Sequence, residues 1–165
     1  MSHWIAPAIA FGSVAWLALV VTAPLLNVAA AGILYAVGSL ICHQLPERSF
    51  YVEGFQLPVC ARCFGLYAGA AAGSIVGALA GRADRGRPAP RPAVVFTAIA
   101  ALPTVASLAI EWGAGWPVSN VVRAAAGLSL GFAVAFVVVR AVATLHYDEC
   151  APRRPIGHGQ PPAST

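Results

Sequence analysis

The stretch PVCARCFGLYAGAAAGSIVGALAGRADRGRPAPRP, from Pro58 to Pro92, decides how the rest of the chain is read. Gly65, Gly69, Gly73, Gly77 and Gly81 recur at every fourth residue. On a helix that spacing lines them up along one side as a groove. Such a groove lets a second backbone approach closely, which is how helices associate where lipid removes the hydrophobic drive between them. The stripe therefore predicts an intramolecular helix contact, with a homo-oligomer through the same groove as its second use. Pro58 suits a first helical turn, where its missing N–H is not needed, and a helix is predicted over 58–81. The segment Gly81–Pro92 then places four Arg and three Pro in twelve residues and ends that helix.

Working outward, the composition points to the same solvent. The 165 residues are 59% hydrophobic and 10% charged, with a mean hydropathy of +0.75. A soluble domain carries about 25% charged residues, and this much apolar surface cannot all be hidden in one small core. Spanning a bilayer takes about 20 largely apolar residues, and the chain divides into such runs. The fold expected is an all-α, polytopic transmembrane bundle of about five helices, forming a single domain over residues 1–147. Its helices are expected over 5–26, 28–45, 58–81, 93–112 and 120–147, with a mobile tail over 148–165. The first run has no Lys or Arg to make a signal-peptide n-region and is read as a retained helix. Residues 5–42 can alternatively form one span and a re-entrant piece.

Charge placement orients the bundle. All ten basic residues are Arg, and four of them (Arg82, Arg85, Arg87 and Arg91) sit between two apolar runs. They are not interleaved with aromatics, and no nucleic-acid-binding module is present, so the net charge of +4 is topogenic and nucleic acid is excluded as a partner. The positive-inside rule puts the Arg82–Arg91 loop in the cytoplasm of an inner or plasma membrane protein. Arg140, Arg153 and Arg154 put the C-terminus on the same side. Counting helices backwards leaves the N-terminus outside and the turn at Asn27 inside. The segment Cys42–Cys63 and the turn EWGAGWPVSN, from Glu111, then face the extracytoplasmic side.

That outer side gathers the chemistry. Cys60 and Cys63 form a C-x-x-C at the start of the third helix, on one face with Tyr67, while Cys42 and His43 end the preceding apolar run. A hairpin brings these helix ends together. Three thiols and an imidazole are the donor set of a tetrahedral zinc site, and thiolates also suit copper(I). A metal centre of Cys42, His43, Cys60 and Cys63 is expected, with zinc favoured over copper. It requires the second helix to fray, because adjacent helical residues point about 100° apart. The alternative is a membrane thiol-disulfide oxidoreductase using Cys60 and Cys63, whose acidity a helix N-terminus and Arg62 would raise. An electron relay wants a second cysteine pair, and the remaining outer cysteine is single. Haem attachment is disfavoured because Phe64, not His, follows Cys63.

Two charged groups flank this site. Arg123 lies on one face of the fifth helix with Asn120, Gly127 and Gly131, and so points toward neighbouring helices. A charge embedded there wants a partner, and Glu111 at the end of the fourth helix is the expected one. The pair can be a structural clasp or part of a polar pathway in a small transporter or channel subunit. Arg48 and Arg62, if the hairpin folds them together, make an anion-binding pair. No nucleotide loop, hydrolase elbow or metalloprotease helix occurs, so no enzyme class is assigned.

The strings CHQLPERSF and LPVCARCFGLYAG closely resemble the signature of an uncharacterised family of small prokaryotic integral membrane proteins, known only as a domain of unknown function. Its Ser-Asn-x-x-Arg with a following Gly is similar to Ser119, Asn120, Arg123 and Gly127 here. The resemblance covers about residues 28–135. It implies that Cys42, His43, Gln44, Arg48, Ser49, Cys60, Arg62 and Cys63 work as one unit, and it implies no activity. The family pattern carries Thr where Phe64 stands, and a more acidic turn before Ser-Asn.

Overall fold

The structure, a computed structural model, describes residues 4–83 and 93–150. Four of its helices are long and apolar enough to cross a membrane. They are α1 (Ile5–Thr22), extended to Leu25 by a 3-10 turn, α3 (Ala61–Ala83), α4 (Ala93–Gly113) and α5 (Asn120–Cys150, apolar to Thr144). Their apolar lengths of 21 to 25 residues reach about 32–38 Å, enough for a hydrocarbon core of about 30 Å. Phe11, Val94, Leu102 and Val121 point outward and are 61–81% exposed, a surface that only lipid suits.

The fifth helix, α2 (Val28–Ile41), is not a span. Its 14 residues reach only about 21 Å. Asn27 caps it, the side-chain oxygen accepting the N–H of Ala30 at 3.0 Å. The helix was expected to run to residue 45. It stops at Ile41 because Cys42 adopts an extended conformation and Gln44 a left-handed one, with φ of 49°. α2 packs chiefly against β2 and the 3-10 turn at Ala23–Leu25.

Between the expected helices over 28–45 and 58–81, the connection is a two-stranded β-hairpin. A 3-10 turn (Pro46–Arg48) leads into β1 (Ser49–Val52), which pairs antiparallel with β2 (Phe55–Cys60), Val52 opposite Phe55. The connection is Glu53-Gly54, with φ of 51° and 83°. Two successive positive φ values make the mirror-image turn whose twist matches that of a hairpin. Pro58 and Cys60 consequently belong to a strand, and α3 starts at Ala61 rather than Pro58. Gln44 fastens hairpin to helix: its side-chain nitrogen donates to the carbonyls of Tyr35 at 2.9 Å and Pro58 at 2.7 Å. Gln56 returns the contact, donating to Gln44 O at 2.6 Å and Ser49 Oγ at 3.1 Å, and the Tyr35 hydroxyl donates to Gln56 O.

α1 runs antiparallel to α3. Trp16 meets Tyr67 edge-on at 5.9 Å, and Val20, near the end of α1, packs with Cys42 and Val59. The end of α1 and the turn at Asn27 therefore lie on the cysteine side. Placing that turn on the opposite side, and the N-terminus with the cysteines, followed from counting α2 as a span; with four spans both relations reverse. The start of α1 now shares the far end of the bundle with Arg82.

α3 and α5 run parallel in the tightest contact of the fold. A Cβ on Gly65, Gly69 or Gly73 would collide with the carbonyl of Ala124, Leu128 or Phe132 respectively. Gly127 and Gly131 stand the same way against the carbonyls of Arg62 and Leu66. Gly77 and Gly81 are looser: a Cβ there would lie 3.1 Å from Phe136 O and 3.1 Å from the Ala143 side chain. The glycine groove is filled by α5 of the same chain, which leaves it closed to the homo-oligomer considered as its second use. α4 lies antiparallel on α5, where Thr104 Oγ1 donates to Ala126 O at 2.7 Å and Ser129 Oγ to Ala100 O at 2.8 Å. α5 continues to Cys150, past the expected end at 147. Most of the expected tail, residues 151–165, and Arg85, Arg87 and Arg91 lie outside the described residues.

Candidate metal centre

Three segments meet at one end of the bundle. Cys42 caps α2 with φ of −147° and ψ of 137°. Successive side chains of an extended chain point to opposite sides, so Cys42 turns inward, 7% exposed, while His43 is exposed and borders the cavity next to the sulfurs without joining them. Cys60 is the last residue of β2, and Cys63 lies in the first turn of α3. Their three sulfurs all lie within 4.8 Å of one another. The backbone N–H of Cys60 donates to Cys42 Sγ at 3.1 Å, fixing two of the three, and none of the three is in a disulfide.

The expected set of three thiols and an imidazole is thus a set of three thiols in the structure. The reason is local: a frayed helix was required to aim Cys42 and His43 at one ion, and the chain goes fully extended there instead. Cys60 likewise reaches the cluster from a strand end, not from the face of a helix. Three thiolates bound to zinc at about 2.3 Å in tetrahedral geometry would sit about 3.8 Å apart. The observed spacing needs only small side-chain rotations to reach that, so the donor set fits a soft or borderline metal.

Cys60 is also an unusually acidic thiol. A hydrogen bond from the Cys63 side chain, helped by the backbone N–H groups of Cys63 and Arg62 and by Cys42, lowers its pKa to about 5 against the opposing effect of burial. An ordinary thiol near pKa 8.5 would be roughly 0.3% ionised at pH 6, whereas this one is held largely as thiolate. Alkylation of Cys60 by iodoacetamide in metal-free protein should accordingly stay near its plateau at pH 6 and fall only as the pH drops through about 5. Peptide mass spectrometry of the labelled site would check this; a midpoint near pH 8.5 would contradict the thiol–thiolate hydrogen bond.

Beside the sulfurs is a buried ionic triad. Glu111, with a side chain only 4% exposed, accepts from Arg62 Nη2 at 3.0 Å and from Arg123 Nε at 2.5 Å. Ser107 Oγ accepts from Arg62 at 3.1 Å, and Asn120 Oδ1 from Arg123 Nη1 at 2.7 Å. Asn120 also donates to the carbonyl of Ser49 at 3.1 Å, tying α5 to the hairpin. The sequence pairs Arg123 with Glu111; the second guanidinium, Arg62, and its Ser107 contact escape that reading. The signal available was Arg62 lying two residues from Cys60 at the same bundle end, with no charge near it in sequence to pair with. Ser49 is buried and serves the hairpin, donating to Leu45 O at 2.9 Å. Phe64 packs edge-on against Phe50 at 5.6 Å. Arg48 does not touch Arg62's partners, but both border the cavity next to the sulfurs.

Comparison with known proteins agrees with this architecture. A family model described as "Predicted membrane protein (DUF2085)" matches residues 42–137, which begins at Cys42 and takes in the hairpin, α3, α4 and most of α5. An uncharacterized protein of Methanocaldococcus jannaschii is 60% identical over 43 residues, 26% of this chain and 28% of that protein. An uncharacterized protein of Methanothermobacter thermautotrophicus is 57% identical over 30 residues, 18% of this chain and 27% of the relative. The match spans little more than a quarter of either relative's length. No solved structure matches the chain.

Proposed function

This chain belongs to the family of predicted membrane proteins DUF2085, and for such a protein we propose that Cys42, Cys60 and Cys63 hold one metal ion at the extracytoplasmic end of the bundle, zinc in preference to copper. The observation that carries the reading is the convergence of three thiols from three different segments to within 4.8 Å of one another. Buried cysteines acting merely as small hydrophobes have no reason to aim their sulfurs at a common point. With three protein ligands a tetrahedral ion keeps one position open, so the centre suits a sensory or binding role as well as a structural one. The extracytoplasmic placement rests on Arg82, at the end of α3 away from the sulfurs, and on the arginines that follow it in sequence. These arginines and the C-terminal end of α5 would then face the cytoplasm.

Elemental analysis of the full chain, purified gently in a neutral detergent, tests the proposal. The expected result is about one zinc per chain, lost in Cys63→Ser. Metal-free protein in which all four cysteines titrate freely would overturn it, and stoichiometric copper would correct the choice of metal.

One observation favours a second reading. The acidity of Cys60, with Cys63 in reach, is the arrangement of a thiol that exchanges with disulfides. In that reaction the Cys60 thiolate attacks a partner disulfide and one partner thiolate leaves. Cys63, once deprotonated, displaces the second partner thiolate. Two electrons pass to the partner and a Cys60–Cys63 disulfide remains. Trapping of a mixed disulfide on Cys60 in Cys63→Ser would select this reading, and its absence together with bound metal would select the first.

A further inference from the structure

The sulfurs form only one wall of a cavity of about 390 Å³, and the rest of its lining has a different character. Among the described residues, three guanidinium groups border it, those of Arg48, Arg62 and Arg123, and no carboxylate does. Glu111 pairs with Arg62 and Arg123 from behind, so three positive charges meet one negative. Arg48 makes no ion pair and no side-chain hydrogen bond among the described residues. Arg62 spends its Nη2 on Glu111 and Ser107, which leaves its Nη1 for a ligand. Ile41, Leu45, Leu66 and Trp112 supply the apolar remainder.

We propose that this cavity binds a small oxyanion, a carboxylate or phosphate-type group carrying a short apolar part, whose charged end pairs with Arg48 and Arg62. The forked guanidinium matches a planar or tetrahedral oxyanion with parallel hydrogen bonds. An excess of positive charge in a low-dielectric wall attracts such a group far more strongly than an exposed arginine would. The volume lies within the range of pockets that take small organic ligands. The same chemistry is offered by a soluble anion or by the headgroup of an anionic lipid. The proposal does not depend on a metal being bound, because it rests on the guanidinium set and not on the sulfurs.

The test uses the full chain, freed of metal, in phosphatidylcholine nanodiscs, titrated with hexanoate and with inorganic phosphate. The signal is the emission of Trp112, isolated as the difference between the wild type and Trp112→Phe. A saturable response to hexanoate is expected. Arg48→Gln should weaken it about tenfold, and Arg48→Lys should weaken it less. Because the protein is freed of metal, the response keeps this site separable from the metal reading. Arg48 has no partner to lose among the described residues, so Arg48→Gln should fold, which circular dichroism checks. If discs containing phosphatidylglycerol suppress hexanoate binding, the site takes a lipid headgroup; if they do not, it takes a soluble anion. Either result supports the proposal. It is overturned if neither anion gives a saturable response and the two kinds of disc behave alike. It is equally overturned if Arg48→Gln binds like the wild type.

Discussion

Gly73→Ala is expected to destabilise the bundle by roughly 1–3 kcal/mol, the usual range for overpacking a well-filled contact. Adding one methyl group there brings it against the carbonyl of Phe132, with the Phe132 carbonyl carbon and Cα both at 2.9 Å. All three atoms are backbone in the middle of α5, so no side chain can rotate away and the helices must separate. Gly69→Ala meets Leu128 O and Phe132 N, the latter at 2.7 Å, and should behave alike. Gly77→Ala should cost less, since two of its nearest neighbours belong to the Val139 side chain at 3.2 and 3.3 Å. Gly12 is the internal control: a Cβ there meets nothing within 4 Å, and alanine should be neutral or slightly stabilising by helix propensity. Reversible unfolding in mixed micelles measures the series. Equal effects at Gly12 and Gly73 would mean that α3 and α5 do not pack through this stripe.

Glu111→Ala should be the more damaging single substitution, costing about 3–5 kcal/mol, because it strands two guanidinium groups on the buried side of the cavity. Arg123 is 7% exposed and has no other carboxylate within reach among the described residues. Glu111→Gln keeps an acceptor and should cost less. Removing all three charges together, as Arg62→Met, Glu111→Met and Arg123→Met in one chain, should recover much of the loss, as buried ion networks do when replaced by apolar groups of similar volume. The same unfolding assay checks this. A triple variant no better than Glu111→Ala alone would show that the triad contributes more than charge cancellation.

The legibility of this fold follows the range of each signal. A glycine at every fourth residue is a helix-period pattern with a single geometric meaning, so the close contact of α3 could be read from sequence. Which helix fills the groove depends on tertiary neighbours and could be read only as an intramolecular contact. The second helix misled because composition cannot distinguish a span from an apolar helix lying at one end of the bundle; what decides is length, and α2 has 14 residues. The two β-strands of the hairpin were missed for a specific reason. Glu53-Gly54 is a weaker turn signal than the Asn-Gly or Asp-Gly pairs that favour two successive positive φ values, and Pro58 reads as easily as a helix start as it does as a strand residue. His43 was expected among the ligands, whereas only the three sulfurs converge; the extended residue at Cys42 sets the exposed imidazole against the neighbouring cavity instead. The Glu111–Arg123 pairing could be anticipated from a charge forced into an apolar helix, whereas Arg62 joins them across 49 residues of sequence, beyond any local pattern.

X-ray absorption at the zinc edge of the purified full-length protein tests the central claim most directly. The expected spectrum has three sulfur neighbours at about 2.3 Å and a single lighter atom in the fourth position. Two or fewer sulfurs, or no zinc edge from protein whose thiols all titrate freely, would contradict a metal centre built from Cys42, Cys60 and Cys63.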